Sequence, residues 1–264
     1  MKNKPANLAH QRVVENYFET TSSVGTSQDI EAFKSSLLGL RRRLGSWFDV
    51  AEKDVIDLGS GTGELCKLAH DFDARSIVGV NMSQTEIDFS LQRVDAQFVR
   101  EDIADYLEQC KPESIDRIFA LNILEHLDKN TLLRVLEGAF QALREGGQLI
   151  VMVPNATSPF GGMTRYWDIT HQIAFTPSSV RQLSRLVGFG ENVVFKECGP
   201  IPYAFVSSIR FGLWQIIRLL IKSYLMIELA SDKGGIYTAD MMFRMTKLSD
   251  VNKKSHSETV LASL

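Results

Sequence analysis

The residues with the plainest chemical potential are one carboxylate and three glycines. Asp57 interrupts the apolar run Val55-Ile56-Asp57-Leu58, and Gly59, Gly61 and Gly63 follow at alternate positions, closed by Glu64. Glycines where a strand turns into a helix let the backbone bend sharply and let a ligand approach without meeting a Cβ. Such a turn, at the carboxyl end of a strand, is where open α/β sheets bind nucleotides. Spacing and charge narrow the choice. A dinucleotide fingerprint needs G-x-G-x-x-G, and Glu64 stands where its third glycine would be. A phosphate loop needs Gly-Lys-Ser/Thr, and this turn has no lysine. Glu64 suits the dipole of the helix it opens but repels a pyrophosphate. A ligand without phosphate and with positive charge fits better. S-adenosylmethionine, which joins adenosine to a sulfonium and an amino acid, is one.

A second group lies between Asn155 and Pro177. It holds Phe160, Gly161, Gly162, Arg165, Tyr166, Trp167, Asp168, His171 and Phe175. Long connections inside compact domains are usually functional. Aromatics beside Arg, Asp and His suit a polar, ring-shaped acceptor such as a sugar; the same aromatics would equally anchor an ordinary loop. Methyl transfer from a sulfonium is an in-line displacement that needs an aligned nucleophile. A hydroxyl acceptor must also lose its proton, which a histidine can take near neutral pH. His171 is the first candidate base, with Asp168 as its orienting partner or alternative base, and His126 is the second. Each also has a structural reading: His126 as a satisfied core histidine, Asp168 and His171 as loop pins. Asp168 and His171 alone show no third ligand, so no metal is expected.

These groups need a scaffold, and the hydrophobic pattern supplies one. After the glycine turn, Leu65, Leu68, Ala69 and Phe72 fall at helical spacing. Buried strands are expected at Val55–Leu58, Ser76–Asn81, Gln97–Arg100, Ile115–Leu121, Gln148–Val153, Asn192–Cys198 and within 234–248. Thr131–Arg144 reads as an amphipathic helix stopped at Gly146-Gly147. Ser83-Gln84-Thr85-Glu86 reads as a full capping box. Upstream, Ile30, Phe33, Leu37, Leu38, Leu40, Leu44 and Trp47 form a helical stripe, with a capping box at Thr26 to Asp29. Arg41-Arg42-Arg43 within it is read as a solvated face rather than a nucleic-acid patch.

At the glycine turn the chain resembles the class I, Rossmann-like S-adenosylmethionine-dependent methyltransferases. The run Phe119 to Leu127, containing Leu124-Glu125-His126, resembles a segment of small-molecule methyltransferases that lines the cofactor and faces the acceptor. The resemblance implies that Asp57 holds the methionine amino group and that Gly59, Ser60, Gly61 and Gly63 pack against methionine and ribose. It places Asn81 at the ribose, with Met82 beside it. The family usually has Asp or Glu at that position, so Asn81 is a departure that loses a charge-assisted bond. Asp102 would meet the adenine amino group, with Ile103 next to it; a helix N-cap is the other reading of Asp102. Leu121 would line the cofactor. Asp168-Ile169-Thr170-His171 with Phe175-Thr176-Pro177 resembles a signature of bacterial methyltransferases near polysaccharide and glycolipid assembly. That likeness implies Arg165, Tyr166 and Trp167 as acceptor contacts.

The implied fold is α/β: a seven-stranded, mainly parallel class I methyltransferase sheet. Residues 1–49 form an N-terminal helical cap, 50–248 the cofactor-binding domain, and 249–264 a disordered tail. Residues 203–229 are an apolar helical insertion before the last strand. Arg210, Arg218 and Lys222 interrupt that insertion, which makes it a poor membrane span. It is expected to pack internally or between two copies; the alternative is a helix lying at a membrane surface. The 264 residues carry 29 Lys and Arg against 32 Asp and Glu, a net charge of −3 that gives no case for nucleic acid. Three scattered cysteines, Cys66, Cys110 and Cys198, read as free thiols in a reducing compartment. The first residues lack an apolar signal core, and the expected location is the cytoplasm, with its membrane face as the alternative. The expected activity is O-methylation of a sugar hydroxyl in surface-glycan biosynthesis. The alternatives are a small lipophilic metabolite or quinone as acceptor, and a non-catalytic partner subunit that keeps the nucleotide pocket.

Overall fold

The computed structural model describes residues 30–232 and 235–248. The region 1–29, with the capping box expected at Thr26 to Asp29, and the tail beyond 248 lie outside these residues. Helix α1 (Ile30–Leu44) leads into β1 (Asp54–Leu58), α2 (Glu64–Asp71), β2 (Ser76–Asn81), α3 (Gln84–Leu91), β3 (Gln97–Arg100) and α4 (Ile103–Gln109). The second half runs β4 (Ile115–Leu121), a 3₁₀ turn at Leu124–His126, α5 (Lys129–Ala142), β5 (Leu143–Pro154), α6 (Gly161–Tyr166) and α7 (Pro177–Val187). It closes with β6 (Val193–Glu197), α8 (Phe205–Leu229) and β7 (Asp240–Thr246).

The seven strands make one sheet in the order β3-β2-β1-β4-β5-β7-β6. Strands β1 to β5 pair in parallel, and β7 inserts antiparallel between β5 and β6. The order reverses between β1 and β4, so the crevice beyond their carboxyl ends is a topological switch point. β1 and β4 are mostly apolar, apart from Asp54 and Asp57 in β1 and Asp116 and Arg117 in β4, because helices cover both faces. One face packs Ile56, Leu58, Ile118, Ala120, Val151 and Phe243 into the larger core. The other packs Val55, Phe119, Ile150 and Met242 against Leu44, Trp47 and Phe48 from the end of α1 and the turn after it. Leu37, Leu40 and Leu44 of the α1 stripe, with Trp47, pack toward the sheet, while Leu38 is exposed.

Three expectations are corrected. The Gly146-Gly147 pair does not end α5; the helix stops at Ala142 and β5 already begins at Leu143. Leu143 pairs with Ile115 before a register shift at Ile115/Arg117, and the two glycines fall inside that irregularity. The capping box at Ser83 is half built. Ser83 Oγ accepts from the Glu86 N–H, but the Ser83 N–H goes to Asn81 Oδ1 at 3.0 Å. The arginine run is not a solvated face. Arg41 donates to the Gly45 carbonyl and lies over Phe48 and Phe72. Arg42 stacks on Tyr203 at 3.8 Å, and Arg43 turns into the cleft described below.

Candidate active site

The glycine turn is built as its sequence requires. Asp57 lies one residue from the end of β1 and is buried, 3% exposed. Gly59 has φ +70°, and a Cβ there would come within 2.9 Å of Ile123. Gly61 has φ +50° with nothing within 4 Å of its would-be Cβ, so its bare face looks into open space. The Gly59 and Ser60 N–H groups both donate to the Val80 carbonyl, tying the turn to β2.

Above this turn opens a cleft of about 570 Å³. Its floor is Asp57, Gly59, Ser60, Gly61 and Thr62; its walls include Glu64, Glu86, Leu121 and Met152; α1 covers it with Ser36, Gly39, Leu40 and Arg43. Three carboxyl groups face a single guanidinium. Burial, with Glu64 adding to it, raises Asp57 to about 8, while a weak bond from the Cys66 thiol at 3.6 Å opposes the rise. Ser60 Oγ is buried without a partner. A buried carboxyl group and an orphaned hydroxyl invite a cationic hydrogen-bonding ligand. The acidic lining repels phosphate and suits an ammonium and a sulfonium. The site therefore fits S-adenosylmethionine.

Of the sequence-predicted cofactor residues, Asp57, Gly59, Ser60, Gly61 and Leu121 line this cleft. Gly63 turns α2 at φ +86° against Ser90. Asn81 is a brace: its Nδ2 donates to the Gly61 carbonyl at 3.4 Å and to Glu86 Oε2 at 3.1 Å, while its Oδ1 accepts from Ser83. Glu86, expected in a capping box, reaches the cleft instead. Burial raises its carboxyl above the ordinary range. Met82 is exposed and Ile103 is buried in the core. Asp102 caps α4 through Oδ1, accepting from Ala104 and Asp105.

The acceptor side is assembled from the end of β4 and the loop after β5. Asn155 pairs with Phe175 to close the loop base. Gln172 and Ile173 both donate to the Glu125 carbonyl, and Gln172 Nε2 donates to the His126 carbonyl. These bonds bring His171 beside His126, with ring centroids 4.8 Å apart. His171 is 7% exposed, and its Nδ1–H donates to the Thr164 carbonyl at 3.1 Å. Asp168 Oδ1 accepts from the Thr170 hydroxyl at 2.6 Å, and Thr170 Oγ1 lies 2.5 Å from His126 Nδ1. Thr170 thus links Asp168 to the His126 imidazole. Glu125 was not singled out from sequence, and its partner Asn122 donates to Oε1 at 3.3 Å. Burial raises Glu125 to about 7. Arg165 donates to the Gln172 carbonyl, and Tyr166 and Trp167 are exposed on the loop surface. None of these three lines the cleft.

A family model described as a methyltransferase domain matches residues 31–190. A Pseudomonas putida protein described as a probable fatty acid methyltransferase is 28% identical over 98 residues. That match takes in 35% of this chain and only 25% of the relative. An S-adenosylmethionine-dependent methyltransferase from Archaeoglobus fulgidus superposes with a TM-score of 0.61 at 20% identity, covering 82% of this chain and 97% of that one. A phosphoethanolamine N-methyltransferase of Haemonchus contortus, solved with S-adenosyl-L-methionine, gives 0.60 at 13% identity over 89% of this chain and 60% of that one. At such identities the likeness is one of fold.

Proposed function

The chain belongs to the methyltransferase-domain family and uses S-adenosylmethionine, and from that premise we propose that its acceptor is a hydroxyl oxygen of a small polar molecule, a sugar in glycan assembly being the class we favour. The observation that carries this reading is the cluster of His126, His171 and Glu125, where β4 ends, with Asp168 joined to His126 through Thr170. Transfer to an alcohol needs a group that takes a proton, and this is a proton-accepting constellation.

Bound S-adenosylmethionine supplies a methyl group on a sulfonium that departs as a neutral thioether. The residues of this chain do the rest. Asp57 receives the amino group, and Gly59, Ser60, Gly61 and Gly63 bring bare backbone against the methionine and ribose. Asn81 steadies Glu86, whose carboxyl group takes the ribose hydroxyls. Met82, Asp102 and Ile103 border the adenine, and Leu121 packs against the cofactor. Arg165, Tyr166 and Trp167 contact the acceptor once it covers them. His171, His126 and Asp168 take the proton of the attacking hydroxyl. One O–C bond forms, one C–S bond breaks, and one proton is released.

A second reading has a specific observation behind it. Along α8, Phe205, Val206, Leu213, Ile216, Leu219 and Ile227 are all exposed. Among the described residues no helix is long and apolar enough to cross a membrane. An exposed apolar helix supports a lipophilic acceptor, or contact with a bilayer surface or a second copy. The proposed location is the cytoplasm, with the membrane's inner face as the alternative. Incubation with methyl-labelled S-adenosylmethionine and fractionated host extract separates the readings. Alkali-stable label in a glycan fraction supports the sugar ether. Label confined to organic-soluble metabolites overturns it in favour of the lipophilic acceptor.

A further inference from the structure

Glu125, His126 and His171 offer ligand atoms that all lie within 4.8 Å of one another. Glu125 is 1% exposed, and its Oε2 is buried with no hydrogen-bond partner. A carboxylate oxygen taken out of water without a donor is costly, and a bound cation is one of the few things that repays it. The two imidazoles are held as metal-binding imidazoles usually are, each with one ring nitrogen tied to an outer partner. His171 Nδ1 faces the Thr164 carbonyl, which can only accept, so that nitrogen carries the proton and Nε2 the lone pair. Thr170 gives its hydroxyl hydrogen to Asp168 and is left to accept from His126 Nδ1. That fixes the same tautomer at His126. The backbone is committed too: Glu125 and His126 share one 3₁₀ turn, and their carbonyls accept from Gln172 and Ile173 in the strand of loop that carries His171.

We propose that Glu125, His126 and His171 bind one divalent first-row transition cation. Two imidazoles and one carboxylate are a donor set for such ions and leave positions open for an exogenous oxygen. Calcium and magnesium, which prefer all-oxygen shells, are disfavoured. Half-buried His126 gives the site its access from solvent. In the hydroxyl-acceptor reading, on which this role rests, a bound ion replaces direct proton uptake by the imidazoles: it would hold the acceptor oxygen and lower its pKa, the proton leaving to water. The imidazoles then act through the ion.

The test is cobalt(II) titration of the tag-free, chelator-stripped full chain, followed by visible absorption and calorimetry. One equivalent is expected to bind with an intensified visible band. Glu125→Gln and His171→Gln are expected to abolish that band while S-adenosylhomocysteine binding persists, which reports an intact fold. Thr170→Val, which keeps all three ligands, is expected to weaken cobalt by about 10- to 100-fold by freeing the His126 ring. Cobalt binding that is absent, or equal in wild type and all three variants, overturns the site. Cobalt binding without transfer to any hydroxyl compound upholds the site and removes the acceptor reading. Hydroxyl methylation in a chain that binds no cobalt does the reverse.

Discussion

Asn81 Nδ2 donates to Glu86 Oε2 at 3.1 Å and also to the Gly61 carbonyl, so one amide links the glycine turn to a carboxyl group on the next helix. β2 ends in an amide, and the carboxyl group beside it belongs to Glu86 on the next helix. The amide holds it there, and the Ser83 N–H that would have paired with Glu86 is taken by Asn81 itself.

Restoring the family's usual acid should therefore harm the protein. Asn81→Asp removes the donor and sets a second carboxylate against Glu86, a like-charge pair. If Glu86 takes the ribose hydroxyls as proposed, Glu86→Gln removes a charge-assisted bond worth about 1.5–3 kcal/mol. Calorimetry with S-adenosylhomocysteine should show roughly 10- to 100-fold weaker binding for Glu86→Gln and weaker binding for Asn81→Asp. Tighter binding by Asn81→Asp would refute the division of labour between the two.

Asp57 predicts a trade between stability and binding. Its folded-state pKa of about 8 lies above the ordinary carboxyl value of 3.8 because of burial, with the Cys66 thiol as its weak donor. Between those values the folded chain holds a proton that the unfolded chain has released. Its contribution to stability accordingly falls as pH rises through that window and levels off above it. Asp57→Asn does not titrate, so its thermal midpoint relative to wild type should climb from about pH 5 to about pH 8.5. The same variant should lose S-adenosylhomocysteine affinity, because the amino group meets a neutral amide. A stability difference flat with pH would mean that Asp57 is ionised in the free protein.

Much of this was legible because local and global signals agree. The strands from Val55 to Phe243 are read from buried apolar runs, and the glycine turn from spacing alone, since each depends on residues within a few positions. What failed to show depended on partners far along the chain. Glu86 followed the pattern of a capping box, and only the three-dimensional position of Asn81 diverts it. Glu125 stood in the run Phe119 to Leu127 with no role of its own; its approach to His171 requires the loop to fold back on the Glu125 and His126 carbonyls. Arg43 belonged to a charged run whose outlet, the cleft, is made by β1 and β5.

Gly59 should tolerate no side chain. Its φ of +70° disfavours any L-residue, and the added Cβ would lie 2.9 Å from Ile123, which packs beneath the turn. Gly59→Ala should cost about 1–3 kcal/mol, seen as a lowered unfolding midpoint, together with loss of cofactor binding. Gly61 has open space at its would-be Cβ, so Gly61→Ala should lose less stability but still bring a methyl group into the cleft. Equal stability losses at the two positions would show that backbone conformation alone, without the Ile123 contact, sets the cost.

Thr170 offers the sharpest test of the acceptor side, because it touches the machinery without being a candidate acid, base or ligand. Its hydroxyl links Asp168 to His126, one bond of 2.6 Å followed by one of 2.5 Å. Thr170→Val preserves shape and removes both bonds; Thr170→Ser keeps the hydroxyl and drops a methyl group. If the imidazole must be held in one tautomer for the reaction, Thr170→Val should lower kcat by about 10- to 100-fold with little change in KM, and Thr170→Ser should recover most of it. A loop merely loosened by the change would raise KM for both variants instead, since Gln172 and Ile173 dock on Glu125 just beyond this point. The split between kcat and KM therefore separates orientation of His126 from anchoring of the loop.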